Sequence, residues 1–312
     1  MHPSDTIWRA SAPGSLMLMG EHAVLHGKRA LVCAVNKRMR VTLTPRTDDV
    51  LRIESELGEA VSERHAIEIA PPFTFVWTAL KDVAADLPGG CDIEIESDFS
   101  STIGFGSSAA VTVAVLAALD AWRDMPLDRT YIHQRARQII QSVQGCGSGA
   151  DAAASVYGGI VEYCVDPFKL EPLHAIHPIT VIYSGYKTPT PEVIKKVEED
   201  KRARPFLFDG FYYEIGECVR QAVDAICRDE WAELGELFNR NQALMGAIGV
   251  SDDTLEEIVL ALREQPGILG TKISGSGLGD CVVGLGQAAD WPLAYERIDC
   301  AMTESGVQLE TD

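Results

Sequence analysis

Four residues with a capacity for anion chemistry, Gly104, Gly106, Ser107 and Ser108, stand directly before an uncharged apolar run at 109–119. The start of a helix carries backbone N–H groups without intrahelical partners and a partial positive charge, so it attracts an anion. Glycines let the backbone approach that anion closely, and a serine hydroxyl there can cap the helix or reach a phosphate or a metal ion. The stretch has the build of a phosphate cradle. It also fits a second reading, a helix-capping turn with tight packing, because it is neither G-x-x-x-x-G-K-[ST] nor G-x-G-x-x-G.

Two further loops bear on that choice. KISGSGLGDC, at 272–281, sets Gly275, Gly277 and Gly279 between two apolar segments. Alone it reads equally well as a hairpin connection with bulges. APGSLMLMGEHAVLHG, at 12–27, places Glu21, His22 and His26 in apolar surroundings next to Gly20. A lone histidine near a strand is ordinarily structural, whereas two with a glutamate make a better ligand site. Asp151, in GSGAD, lies among Gly149, Ala150, Ala152 and Ala153, so a substrate could approach its carboxylate closely. The same position at a helix start is also that of a plain cap. Glycine-marked loops at three places in one chain are hard to explain by packing alone.

The elements that must position these residues follow from periodicity. SLMLMGEHAVLHG and KRALVCAVNKRMRVTLTP read as strands separated by Gly27, DVLRIESEL as a shorter one and CDIEIESDF as a half-buried one. A helix is predicted over 73–87, a long buried helix over 108–122, a third ending at Gly145, and a short one opening at the GSGAD turn. IVEYCV and ITVIYSG are strand-like. The chain is then largely helical from 188 to 264, with Ile215, Val219, Val223 and Ile226 on one face. It closes with a strand, glycine turn and strand around KISGSGLGDC, a predicted helix WPLAYERIDCAMTE and a last strand VQLE. The change from strand-rich to helix-rich character places a domain boundary near 175–187, giving domains 1–178 and 179–312.

Composition excludes some partners. With 27 Lys plus Arg against 46 Asp plus Glu, the formal net charge is −19, which repels nucleic acid and anionic membranes at long range. No apolar stretch of membrane-spanning length occurs and the first residues are polar, so neither a span nor a signal peptide is expected. The eight cysteines form no C-x-x-C pair, which points to reduced thiols in a cytoplasmic chain rather than to zinc or a redox dithiol.

APGSLMLMGEHAVLHG, STIGFGSSAAVTVAV and KISGSGLGDC occur in this order between residues 12 and 281, and together they resemble the three signatures of the GHMP kinase superfamily, most of all its mevalonate kinases. The resemblance implies an α+β (two-domain α/β) fold, with a ribosomal-protein-S5-like N-terminal domain and a ferredoxin-like C-terminal domain flanking the active site. It implies transfer of the γ-phosphoryl group of ATP to a small-molecule hydroxyl with Mg²⁺. By the same resemblance Gly104, Phe105, Gly106, Ser107, Ser108 and Ala109 surround the nucleotide phosphates, Ser108 helps to hold the metal, and Asp151 is the catalytic base. Glu21, His22, Lys187, Thr188, Gly275 and Ser276 are implied on the substrate side, with Gly277 supporting the phosphate loop. A homodimer is a family-level expectation. Such a reaction needs chiefly positioning and charge stabilisation, which a ring of N–H dipoles, a metal and one carboxylate supply.

This chain departs from that pattern twice. Ser15 stands where mevalonate kinases carry a lysine, leaving Lys28, Lys187 and Lys272 as candidate replacement cations, each with a solvated side chain as its plainer reading. No acid occurs between Asp128 and Asp151, where those kinases have a metal-binding glutamate, so the metal would rest on Ser108, ATP oxygens and water. VQGCGSGADAAASVYGG and Asp280-Cys281 lean toward phosphomevalonate kinase, whose substrate would call for added cations such as Arg38, Arg40 or Lys187; GEHAVLHG and the short length lean back toward mevalonate. A non-catalytic nucleotide-binding protein on the same scaffold is the reading from a different class.

Overall fold

One long strand sets the plan of the N-terminal half. The computed structural model describes residues 6–100 and 102–310; Ser101, the first residue of the STIGFGSS stretch, lies outside them. Strand β1 (Trp8–Met19) runs antiparallel to β2 (Ala30–Pro45), whose sixteen residues are long enough to take two different partners on its other side. The first part of β2, Ala30 to Cys33, pairs with β6 (Ile160–Cys164), and the second part, Met39 to Pro45, pairs with β5 (Cys91–Ser97). β3 (Val50–Ser55) lies parallel to β5, and β4 (Gly58–Glu63) and β7 (Lys169–Pro172) close the two edges. The last strand, β12 (Gln308–Glu310), returns from the far end of the chain to pair with the start of β1.

Four helices pack on and around this sheet: α1 (Thr74–Val83), α2 (Ser107–Trp122), α3 (Arg129–Gln144) and α4 (Ala150–Tyr157). α2 is apolar all round, and twelve of its sixteen residues are buried, as a helix surrounded by protein requires. It packs on β1 and β2, between α1, α3 and α4, which together fix where its N-terminus points. α3 begins at Asp128, whose carboxylate accepts from the Tyr131 amide at 3.0 Å.

A second, four-stranded antiparallel sheet has the order β11-β8-β10-β9, with β8 (Ile179–Lys187), β9 (Ile268–Ser274), β10 (Gly279–Gly286) and β11 (Glu296–Ile298). The helical stretch predicted from 188 to 264 forms α5 (Thr190–Ala203), α6 (Pro205–Cys227), α7 (Trp231–Ala247) and α8 (Asp253–Arg263). Ile215, Val219 and Ile226 of α6 are buried as their spacing predicts. α7 and α8 lie on β9, while α6 also reaches β1 and β2 of the first sheet.

Two expectations are corrected. GEHAVLHG is no strand: Gly20 and His22 have φ of 100° and 54°, which ends β1, and residues Ala23–His26 form a 3-10 turn closed by Gly27. WPLAYERIDCAMTE forms no helix: Glu296–Ile298 instead pairs along the open edge of β8 and Met302 bridges to Val35. The thiols are all free; Cys33, Cys91, Cys164, Cys218 and Cys281 are buried and Cys227 is exposed. Among the described residues no helix is long and apolar enough to cross a membrane.

Candidate active site

The three motifs meet at the N-terminal end of α2. Ser15, on β1, donates its backbone N–H to the Phe105 carbonyl at 3.0 Å, fixing the glycine loop against the first sheet. Its hydroxyl donates to Asp151 Oδ1 at 2.8 Å, although 136 residues separate the two. Gly106 is the N-cap of α2 with φ 60°, and no side chain caps the helix, so the first-turn amides of Ser107 and Ser108 keep their donor capacity. α4 likewise begins at a glycine, Gly149, without a side-chain cap, and carries Asp151 in its first turn. Two helix N-termini therefore face one another across Ser15.

Gly106 makes this closeness available. A Cβ there would lie 2.2 Å from the Ser15 hydroxyl and 3.4 Å from the Asp151 Cβ, and its φ is one that side chains rarely adopt. Gly106→Ala is therefore expected to cost about 1–3 kcal/mol of stability and to weaken nucleotide binding, since the loop must move away from Ser15 and Asp151. Urea denaturation and calorimetry with an ATP analogue read both; unchanged affinity would show that the loop does not hold the nucleotide.

The site is a cleft of about 360 Å³ between the two sheets. Gly104, Gly106, Ser107, Ser108 and Ala109 form one wall, Gly149 and Asp151 the floor, and Lys187, Gly275, Ser276 and Asp280 the facing wall. A second cavity of about 360 Å³ adjoins it and shares Phe75, Ser107 and Ser108; Met39, Leu57, Phe73, Val76, Ile95 and Val111 make it apolar. Burial raises the pKa of Asp151, against the opposing pull of the Ser15 hydrogen bond and the Lys187 charge. Burial raises Asp280 too, and Lys187 Nζ stands 3.4 Å from its Oδ2.

Not every expected residue lies on the cleft wall. The Phe105 side chain is buried in the core against Phe99, leaving its backbone to the loop. Glu21 and His22 stand behind the wall rather than on it: Glu21 Oε1 accepts from Lys272 Nζ at 2.6 Å and from the Gly275 amide at 3.2 Å, and His22 Nε2 donates to the Ser276 carbonyl at 2.8 Å. Thr188 also braces the third loop, donating to the Leu278 carbonyl at 2.6 Å. Lys272 is completely buried, so it is not the solvated lysine expected, while Lys28 is partly buried with its ammonium 5.9 Å over the Tyr213 ring. In the 129–150 stretch, where the family pattern has an acidic metal ligand, the uncharged Ile140 and Gln144 line the cleft.

Asp280 is the carboxylate that sequence reasoning did not place at the site. Its one signal was an acid directly after the last glycine of the third loop. Among the described residues no cluster of three or more His, Cys, Asp or Glu side chains is placed to hold a metal ion. The oxygen donors of the cleft at the N-terminus of α2 are the Ser108 hydroxyl and Asp280, whose Oδ1 is buried without a hydrogen-bond partner. An orphaned carboxylate oxygen beside a serine hydroxyl offers the oxygen donors a hard cation takes.

The description "GHMP kinases N terminal domain" matches residues 74–159, and "GHMP kinases C terminal" matches residues 222–300. The chain is 37% identical to the mevalonate kinase of Archaeoglobus fulgidus over 88% of its own length and 91% of that protein's. It is 32% identical to the mevalonate kinase of Thermococcus gammatolerans over 95% of its length and 93% of that protein's. Among solved structures, L. major mevalonate kinase in complex with R-mevalonate superposes with a TM-score of 0.74 at 27% identity, covering 90% of this chain and 87% of that one. The Lin0012 protein of Listeria innocua shares the fold with a TM-score of 0.86 at 20% identity, over 98% of this chain and all of that one, 100%.

Proposed function

Since this chain belongs to the GHMP kinase family, and within it to the mevalonate kinases, we propose that it transfers the γ-phosphoryl group of ATP to the hydroxyl of mevalonate. One observation carries the residue roles: the uncapped N-terminus of α2 and the Asp151 carboxylate share one cleft, so close that a Cβ added at Gly106 would stand 3.4 Å from the Asp151 Cβ. The apolar cavity beside Phe75 suits a nucleobase. The amides of Ser107 and Ser108 suit a triphosphate, whose negative charge the helix dipole favours. Asp151, oriented by the Ser15 hydroxyl, accepts the proton of the attacking alcohol. Mg²⁺, bound by Ser108 with the phosphate oxygens, would neutralise part of the phosphate charge. Glu21, His22 and Thr188 hold the third glycine loop that forms the substrate side of the wall.

The structure bears on the acceptor through what it withholds. Arg38 donates to the Ser11, Ser305 and Gly306 carbonyls, and Arg40 pairs with Asp98, so both are committed away from the cleft. Lys187 is the only lysine or arginine among the described residues lining it. A phosphorylated acceptor would bring two or so further negative charges with little to receive them, which favours mevalonate over phosphomevalonate. The division into domains 1–178 and 179–312, a cytoplasmic location and a homodimer belong to the same proposal. An ADP-release assay with Mg²⁺ is expected to give a kcat/KM for mevalonate at least about 100-fold above that for phosphomevalonate, the scale of one unmet charge. Preference for phosphomevalonate would reassign the acceptor, and nucleotide binding without turnover on either would favour the non-catalytic reading.

A further inference from the structure

We propose that Lys187 is the cation that meets the transferring phosphoryl group in place of the lysine absent at residue 15, and that Asp280 is the residue that positions it. The inference rests on the kinase reading above; it gives Lys187 a role that reading leaves open, and Asp280, whose unpartnered Oδ1 is a candidate metal donor, holds the ammonium through its other oxygen, Oδ2. A phosphoryl-transfer site must offset charge on the transferred group with groups already in place. Ser15 offers no charge, and its hydroxyl is committed to Asp151. Lys272 is sealed in the core with Glu21, and Lys28 packs on α6. Lys187 remains, on the cleft wall, with its side chain 30% exposed.

Its placement is built rather than incidental. Lys187 ends β8 and pairs in register with Gly279 of β10, one residue before Asp280. Thr188, the next residue, is tied to the Leu278 carbonyl. The two strands thus hold the ammonium and the Asp280 carboxylate together at 3.4 Å. Lys187 also acts on Asp151, so one charge reaches both carboxylates of the cleft.

Asp280 in turn is seated against the phosphate loop. A Cβ on Gly104 would fall 2.0 Å from Asp280 Oδ2, so the loop has room for this carboxylate only because residue 104 is glycine. Asp280 holds φ 75°, a strained value for a side-chain-bearing residue, at the point where the loop turns into β10. A bare carboxylate there would repel a triphosphate. Paired with an ammonium, it becomes a means of holding that ammonium at the end of the phosphate chain.

The test separates a cation that acts on the phosphoryl group from one that only neutralises Asp280. Lys187→Ala is expected to lower kcat by about 10²–10³-fold with KM for ATP and mevalonate changed by less than about threefold, as for loss of a contact made in the transition state. Lys187→Arg should recover at least about tenfold of that loss, since it restores the charge. The double variant Lys187→Ala/Asp280→Asn should remain as slow as Lys187→Ala. Recovery of the double variant to near-parent kcat, or a loss confined to the KM for mevalonate, overturns the proposal. If the parent protein phosphorylates no acceptor, the kinase reading falls by itself, and calorimetry still judges the lysine. Aluminium fluoride, a mimic of the transferring group, should then tighten ADP binding in the parent and not in Lys187→Ala; equal tightening in both overturns it.

Discussion

Asp151→Asn is expected to lower kcat for mevalonate phosphorylation by about 10²–10⁴-fold, the usual contribution of a positioned general base, while ATP affinity stays within a few-fold. Asparagine keeps the size of the side chain and an oxygen that accepts the Ser15 hydroxyl, so the loss reports the missing base and not a collapsed site. The same substitution is expected to raise the melting temperature at neutral pH. Burial lifts the pKa of Asp151 above its ordinary value of 3.8 in the folded protein. The folded state therefore binds the proton more readily than the unfolded chain. The stability that this supplies is present at acid pH and is lost as pH rises through the folded pKa. At pH 7 the ionised carboxylate is a cost that asparagine removes, and the gain should shrink toward pH 4. For the parent enzyme the acid limb of kcat/KM should likewise lie above the ordinary carboxylate value. Scanning calorimetry at the two pH values and a pH–rate profile check both signs; a variant that keeps parent turnover would remove Asp151 from the mechanism.

The glycine loops were legible because their chemistry is written in consecutive residues. A backbone that approaches an anion needs glycine at the approach, and the apolar α2 behind it announces a buried helix. What joins the loops was not legible. The Ser15–Asp151 bond spans 136 positions, and nothing in local spacing links a serine on one strand to a helix start so far along the chain. Ser15 read as the loss of a lysine; in the fold it is also the group that orients the carboxylate. A carboxylate and an imidazole in apolar surroundings suggest a ligand site at Glu21 and His22, and the family resemblance implies the substrate side. The partners that change their meaning, Lys272 for Glu21 and the Ser276 carbonyl for His22, lie 251 and 254 residues away. Asp280 escaped because one acid after a glycine reads as a turn residue. The mostly exposed β4 and the short β7 carry too little apolar alternation to be predicted, and the expected helix at 291–304 gave way because the open edge of β8 takes up Glu296–Ile298.

Glu21→Ala should destabilise the protein by about 3–5 kcal/mol, because it strands a charged lysine in the core. Lys272 has no exposed surface and Glu21 is 3% exposed; their charged ends lie 2.6 Å apart. Burial pushes Glu21 up and Lys272 down, and each is opposed by the other's charge. Without Glu21 the ammonium retains only the Ile273 carbonyl. Lys272→Met should cost less, since the remaining carboxylate can take up a proton and stay neutral. The double variant Glu21→Gln/Lys272→Met should recover most of the loss, because two neutral side chains of similar volume leave no buried charge. Strong non-additivity in urea denaturation is thus the expected result; a double variant as unstable as the sum of the singles would mean that packing, not charge, makes the pair necessary. The same protein decides what Glu21 does for catalysis. If its task is to brace Gly275 from behind, glutamine can still accept from that amide and the KM for mevalonate should stay near the parent value. If the carboxylate instead touches the acceptor, KM should rise even in a double variant of parent stability.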